Sequence, residues 1–236
     1  MPEPRTLDPL LVLHGALGSR EQFEPLCAAL SPQAEVHALN FPGHGRESGP
    51  VTALSVRILA DEVLAWMNAR EIVRARILGY SMGGYVGLLL ARHQPSRITC
   101  VATFATKFRW SPAEAAKEIA LLDPAAIRAK VPAYATTLAA RHGADRWEDL
   151  VRATATLVRG LGERPALDTE DLRQIGQPVL VGVGDRDATV TIDETAEAAR
   201  ALPNGSFLVL PGTPHPIEKA PLGLLAAALR GFLENA

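Results

Sequence analysis

Cysteine is scarce in this chain: 236 residues carry two, Cys27 and Cys100. Cys27 lies in a helical stretch and Cys100 in an apolar strand-like run, so both read as small buried hydrophobes rather than a disulfide framework or a metal site. Charge of one sign is also lacking. Charged residues make up 21% of the chain and the formal net charge is −2, which offers nothing to nucleic acid or to a charged surface. No apolar run approaches the ~20 residues of a membrane span. The opening MPEPRTLDP places proline and acid where a secretion signal needs a basic and then an apolar region. The expectation is a cytoplasmic protein with no membrane or nucleic-acid partner. What the chain has in quantity is hydrophobic residues, 47% of the total, enough for a large core in one α/β domain.

Short β-rich runs alternate with longer helical patterns. Strands are expected at Leu10–Leu13, Glu35–Leu39, Ala75–Gly79, Ile98–Phe104, Pro178–Val183 and Ser206–Leu210. Helices are expected at Glu21–Leu30, Val56–Arg70, Met82–His93, Asp193–Ala201 and Leu222–Leu233. Strands separated by helices pair in parallel and carry helices on both faces. Residues 107–173 break the rhythm with helical patterns alone. Ser111-Pro112-Ala113-Glu114 has the form of a capping box, Asp123-Pro124 starts a second helix, and Trp147 to Leu161 places apolar residues on one face of a third. The expected organisation is a core of residues 1–106 and 174–236, with 107–173 inserted as a helical lid.

Gly79-Tyr80-Ser81-Met82-Gly83 follows a strand and opens a helix. In that context a serine between two glycines stands out at the carboxyl edge of the sheet, where open α/β sheets bind ligands. Side chains at positions 79 and 83 would strike the neighbouring strand and helix. A serine hydroxyl is a weak nucleophile without a base. Among six histidines, His215 sits in a loop directly after the last strand, stiffened by Pro214 and Pro216. His37 and His93 read as structural, His142 falls in the insertion, and His14 and His44 read as loop-orienting. The base needs an acid to fix its tautomer. Gly184-Asp185-Arg186-Asp187 follows the fifth strand, and Asp187, further into the loop, is the better placed; Asp185 then caps the turn or pairs with Arg186. No acid follows the fourth strand. The amide of Met82, at a helix N-terminus, and that of Ala16, in the glycine-rich loop His14-Gly15-Ala16-Leu17-Gly18, are the candidate donors to a developing oxyanion.

Taken together these residues resemble the α/β-hydrolase superfamily, nearly end to end. His14-Gly15 looks like its oxyanion loop, and Phe41-Pro42-Gly43-His44-Gly45 with Ser48 like its PGHGxS loop. Gly79–Gly83 matches the nucleophile elbow, Gly184–Asp187 the acid loop, and His215-Pro216-Ile217-Glu218-Lys219 the histidine loop. The resemblance supports Asp187, since the last position of that acid loop is the catalytic one. It departs at Pro214, where the family usually has glycine. Only Met1–Leu13 precede the HG loop, so the family's initial hairpin is expected to be missing and the sheet to hold about six parallel strands.

The resemblance implies a serine hydrolase acting on an ester or thioester of a small molecule through an acyl-enzyme, with no cofactor and no metal. A lyase like that of the menaquinone pathway is an alternative; Tyr85 stands where that family has arginine. A carbon–carbon bond hydrolase and a non-catalytic receptor are others. In the insertion, Lys107 is placed either to meet a substrate carboxylate or to lie in solvent. Trp110 either walls the pocket or anchors the lid. Tyr80, beside the elbow, is a further substrate-binding candidate that also reads as packing.

Overall fold

The computed structural model describes residues 7–31, 35–46, 49, 51 and 53–236. Six strands form one sheet: β1 (Leu10–Leu13), β2 (Val36–Leu39), β3 (Ala75–Tyr80), β4 (Ile98–Phe104), β5 (Val179–Gly184) and β6 (Gly205–Leu210). Their order is β2-β1-β3-β4-β5-β6. Every neighbouring pair is parallel, so the expected six-strand parallel sheet is present. Each crossover therefore runs over a face of the sheet, and both faces must be covered.

The strand sequences meet that demand by alternation. Leu11, Leu13, Ile77, Val101 and Val181 point into one apolar cluster. Leu10, Val12, Leu78, Ala102 and Leu180 point into the other, as the two-residue period of a strand requires. The second cluster is closed by α1 (Glu24–Leu30) and α10 (Leu222–Asn235), through Leu26, Leu30, Leu225 and Leu229. The first is closed by α2 (Val56–Asn68), α3 (Met82–His93) and part of α9 (Ile192–Ala201). Fully buried leucines such as Leu11 and Leu59 each contribute about 1.5–3 kcal/mol relative to exposure. Cys100 is buried and its thiol is pushed up to about 12 by burial; Cys27 is half-buried, and both are free thiols.

Between β4 and β5 the chain is helical: α4 (Pro112–Ile119), α5 (Pro124–Lys130), α6 (Pro132–His142), α7 (Trp147–Glu163) and α8 (Thr169–Arg173). The apolar face of α7, with Trp147, Leu150, Val151, Leu157 and Leu161, joins the same cluster as the sheet face beneath it. Ser111 caps α4 by accepting from the Glu114 amide. Glu114 does not complete the expected box, because its carboxylate turns to Lys107 and Lys117 instead. α6 has no counterpart in the sequence reading. Its run of Ala and Thr shows only a weak apolar stripe, with Leu138 and His142 its buried residues.

Candidate active site

Ser81 joins β3 to α3 with φ 51° and ψ −117°. This conformation lies outside the ordinary regions for a residue with a side chain. The surroundings hold it there. The Ser81 amide donates to the Phe104 carbonyl at 2.8 Å, and the Ser81 carbonyl accepts from Thr106 Oγ1 at 3.0 Å. Both flanking glycines are sterically required. A Cβ on Gly79 would run into the backbone of Gly83 and Gly84, and one on Gly83 into the carbonyls of Leu13 and His14. The serine is thus lifted at the carboxyl end of the central strands.

His215 and Asp187 come together across the loops after β6 and β5. His215 Nδ1 lies 2.8 Å from Asp187 Oδ2. The Asp187 side chain is fully buried while that of His215 is 24% exposed. The other carboxylate oxygen, Oδ1, accepts from the Thr189 and Val190 amides at 2.8 and 2.9 Å. Asp187 therefore keeps its orientation with or without the imidazole. Asp185 takes neither of its expected roles: its Oδ1 accepts from the Thr213 amide at 3.1 Å, and the Arg186 amide donates to the Thr213 carbonyl. That pair of bonds laces the acid loop to the histidine loop. Tyr80 adds a third tie, its hydroxyl donating to the His215 carbonyl at 2.8 Å. Burial raises the Tyr80 phenol well above its ordinary value, so it remains a hydrogen-bond donor at any working pH.

Ser81, His215, Ala16 and Met82 all line one cavity of about 600 Å³. The Ser81 hydroxyl makes no hydrogen bond to the His215 ring among the described residues; such contacts commonly close only when the reacting group is seated. Neither the Ala16 nor the Met82 amide donates to a backbone carbonyl among the described residues. Both are free to meet charge developing beside the serine.

The rest of the lining is mostly apolar, with Leu121, Leu122, Leu157, Val158 and Leu161 on the helical side. Trp110 walls the cavity and also packs on the apolar cluster; its Nε1–H has no partner among the described residues. Lys107 lines the cavity too, and it is mostly buried and paired rather than solvated. Its side chain is 11% exposed and its Nζ sits 3.2 Å from Glu114 Oε2 and 3.7 Å from Glu118 Oε1. Tyr85 is held by its hydroxyl, which accepts from the Leu167 amide at 2.9 Å.

His14 and His44 orient loops, as expected. His14 Nδ1 donates to the Gly15 carbonyl at 2.8 Å, and its Nε2 accepts from the Phe41 amide at 3.1 Å. Burial pulls His14 down to about 3, so it is neutral. Ser48 of the PGHGxS loop lies outside the described residues. The residues that sequence reasoning missed come from α6. Arg141 lines the cavity and His142 is fully buried against the Leu17 carbonyl in the glycine-rich loop after β1. The one signal for them was a pair of basic residues before Gly143, which is how many helix C-termini look. Among the described residues no group of side chains could hold a metal ion, and no helix is long and apolar enough to cross a membrane.

Comparison with known proteins decides the family. A family model described as alpha/beta hydrolase fold matches residues 8–164. The chain belongs to the alpha/beta hydrolase family. Within that family it is 28% identical over 229 residues to the dihydrolipoyllysine-residue acetyltransferase component of an acetoin cleaving system from Pseudomonas putida. The match takes in 89% of this chain and 59% of that longer protein. It is 24% identical over 248 residues to the 2-(acetamidomethylene)succinate hydrolase of Mesorhizobium japonicum, covering 95% and 87% of the two chains. Among solved structures, a thermophilic esterase from Thermogutta terrifontis shares the alpha/beta hydrolase fold with a TM-score of 0.76 at 24% identity, over 96% of this chain and 89% of that one.

Proposed function

We propose that the protein is a serine hydrolase that cleaves an uncharged carboxylic ester or thioester with an apolar acyl group. The observation that carries this reading is the Asp187–His215 hydrogen bond, with His215 opening onto the same cavity as Ser81. With Asp187 accepting at Nδ1, the His215 Nε2 lone pair is left to act as base. Ser81 Oγ attacks the acyl carbon and its proton passes to Nε2. The carbonyl oxygen takes the negative charge and accepts from the Ala16 and Met82 amides. As the carbonyl re-forms, the bond to the leaving oxygen or sulfur breaks and Nε2 returns the proton to it. Water then attacks the acyl-enzyme by the same route, releasing the acid and restoring Ser81.

The charge balance of the cavity favours a neutral acyl group. Its two basic side chains, Lys107 and Arg141, are both already paired, Lys107 with Glu114 and Glu118 and Arg141 with Glu218. A buried substrate carboxylate would have to displace one of them. The same pairing weighs against a lyase acting on a dicarboxylate. The helices α4 to α7 supply the apolar wall and serve as the cover of the site.

A fluorophosphonate probe tests the reading directly. Wild type is expected to be labelled at Ser81 and to hydrolyse p-nitrophenyl butyrate faster than a carboxylate-bearing analogue. Ser81→Ala is expected to lose both labelling and turnover. Folded wild-type protein that takes no label overturns the proposal, and labelling with negligible turnover on any ester moves the balance to a receptor.

A further inference from the structure

We propose that Arg141 and His142, at the C-terminal end of α6, are positioning residues for the oxyanion donor Ala16. The helical segment thereby sets catalytic geometry as well as covering the site. This rests on the serine-hydrolase reading above.

Two peptide planes carry the effect. The amide of Ala16 shares its peptide unit with the Gly15 carbonyl, and in a trans peptide the two point in opposite directions. The Gly15 carbonyl accepts from the Gly18 amide at 3.0 Å and from His14 Nδ1 at 2.8 Å. Holding that oxygen turns the Ala16 N–H the other way. The Gly18 amide in turn shares its peptide unit with the Leu17 carbonyl. That carbonyl is gripped by two donors from α6, Arg141 Nη1 at 2.9 Å and His142 Nε2 at 2.9 Å. The tautomer of His142 is fixed by its other nitrogen: Nδ1 accepts from the Gly45 amide at 3.0 Å, so the proton is on Nε2. A pull at the Leu17 oxygen is therefore relayed to the direction of the Ala16 N–H.

The grip has something to resist. Leu17 adopts φ 55°, a left-handed conformation that residues with side chains disfavour. Left alone, this peptide would relax and carry Gly18 and Gly15 with it. Arg141 also reaches across the site, with Nη2 3.5 Å from Glu218 Oε1 just beyond His215. Glu218 accepts from Gln22, whose own carbonyl accepts from the Ser19 amide at 2.9 Å. The loop after β1, the histidine loop and α6 are thus joined in one ring of hydrogen bonds closed by the Arg141–Glu218 ion pair.

The test compares Arg141→Met, Arg141→Lys, His142→Leu and His142→Gln with wild type. Three readouts are taken: p-nitrophenyl butyrate kinetics, the affinity of a butyl boronic acid, and the affinity of butyrate. The boronic acid closes on Ser81 as a tetrahedral adduct that needs the oxyanion donors; the product acid does not. Arg141→Met and His142→Leu are expected to lower kcat roughly 10–100-fold with KM within about twofold. Boronate affinity should fall in step while butyrate affinity holds. Arg141→Lys and His142→Gln each keep a donor toward the Leu17 carbonyl and should recover part of the loss. Unchanged kcat in both non-conservative variants overturns the inference. So does a parallel change in KM and butyrate affinity with boronate affinity intact, which would mark a merely structural role. If His142→Leu does not fold, Arg141→Met and its lysine counterpart decide. Wild type that fails to label with fluorophosphonate sinks the parent reading instead, so the two failures are distinguishable.

Discussion

At the scale of single residues, the site depends on which atom of a side chain faces which neighbour. Asp187 spends one oxygen on the Thr189 and Val190 amides and the other on the His215 ring. Asparagine would keep its carbonyl on the two amides, because only an oxygen can accept there. Its NH₂ would then confront Nδ1 and force the imidazole proton onto Nε2, where a lone pair is needed. Asp187→Asn is therefore expected to fold and bind as wild type while kcat falls about 10³–10⁴-fold; steady-state kinetics with intact KM would show it, and a loss below tenfold would contradict the assignment. That Asp187 rather than Asp185 meets His215 was legible in the sequence, since Asp187 sits further into the loop. The role of Lys107 was not. A lysine leaving a strand at the site edge gives no hint that Glu114 and Glu118, a helix away, already hold it.

At the scale of elements, the strands and most helices were readable because each has to satisfy a burial pattern of its own. The α3 boundaries, Met82–His93, follow from the elbow before them and the basic turn at their end. Helix α6 was invisible for the converse reason: its stability comes from what it touches rather than from its own stripe. The contacts of Arg141 and His142 with the Leu17 carbonyl therefore sit on an element with little sequence signal of its own. Helix α3 approaches β1 closely at the elbow. A methyl group on Gly83 would overlap the carbonyls of Leu13 and His14 and could fit only by pushing α3 away from β1. Gly83→Ala is expected to lower stability by about 1–3 kcal/mol and to abolish labelling of Ser81. A urea melt beside a fluorophosphonate gel measures both, and a variant that labels normally would mean the elbow tolerates that shift.

For the whole molecule, three histidines set the response to acid. His14, His44 and His142 pack together in the interior, the first pair tilted and the second edge-on, with ring centroids 4.8 Å and 5.7 Å apart. Burial depresses all three, His14 to about 3, His142 to about 4 and His44 well below its ordinary value. In the unfolded chain they take up protons near 6.5. Above that pH both states are neutral and the histidines have no effect on the balance. As pH falls from about 6.5 toward about 4, the unfolded chain binds protons that the native protein refuses, so stability drops. For His14 and His142 the loss is on the order of 2 kcal/mol each at pH 5. Urea midpoints at pH 7.5 and 5.0 would reveal it, and equal midpoints would mean the cluster is protonated in the native state. Stability and chemistry meet again at Ser81. Its φ of 51° is carried by every molecule at every moment, whether or not it is turning anything over. Glycine at that position would shed the strain along with the hydroxyl. Any search for hardier variants that selects on heat tolerance alone is drawn toward a better-rested protein without the Ser81 hydroxyl.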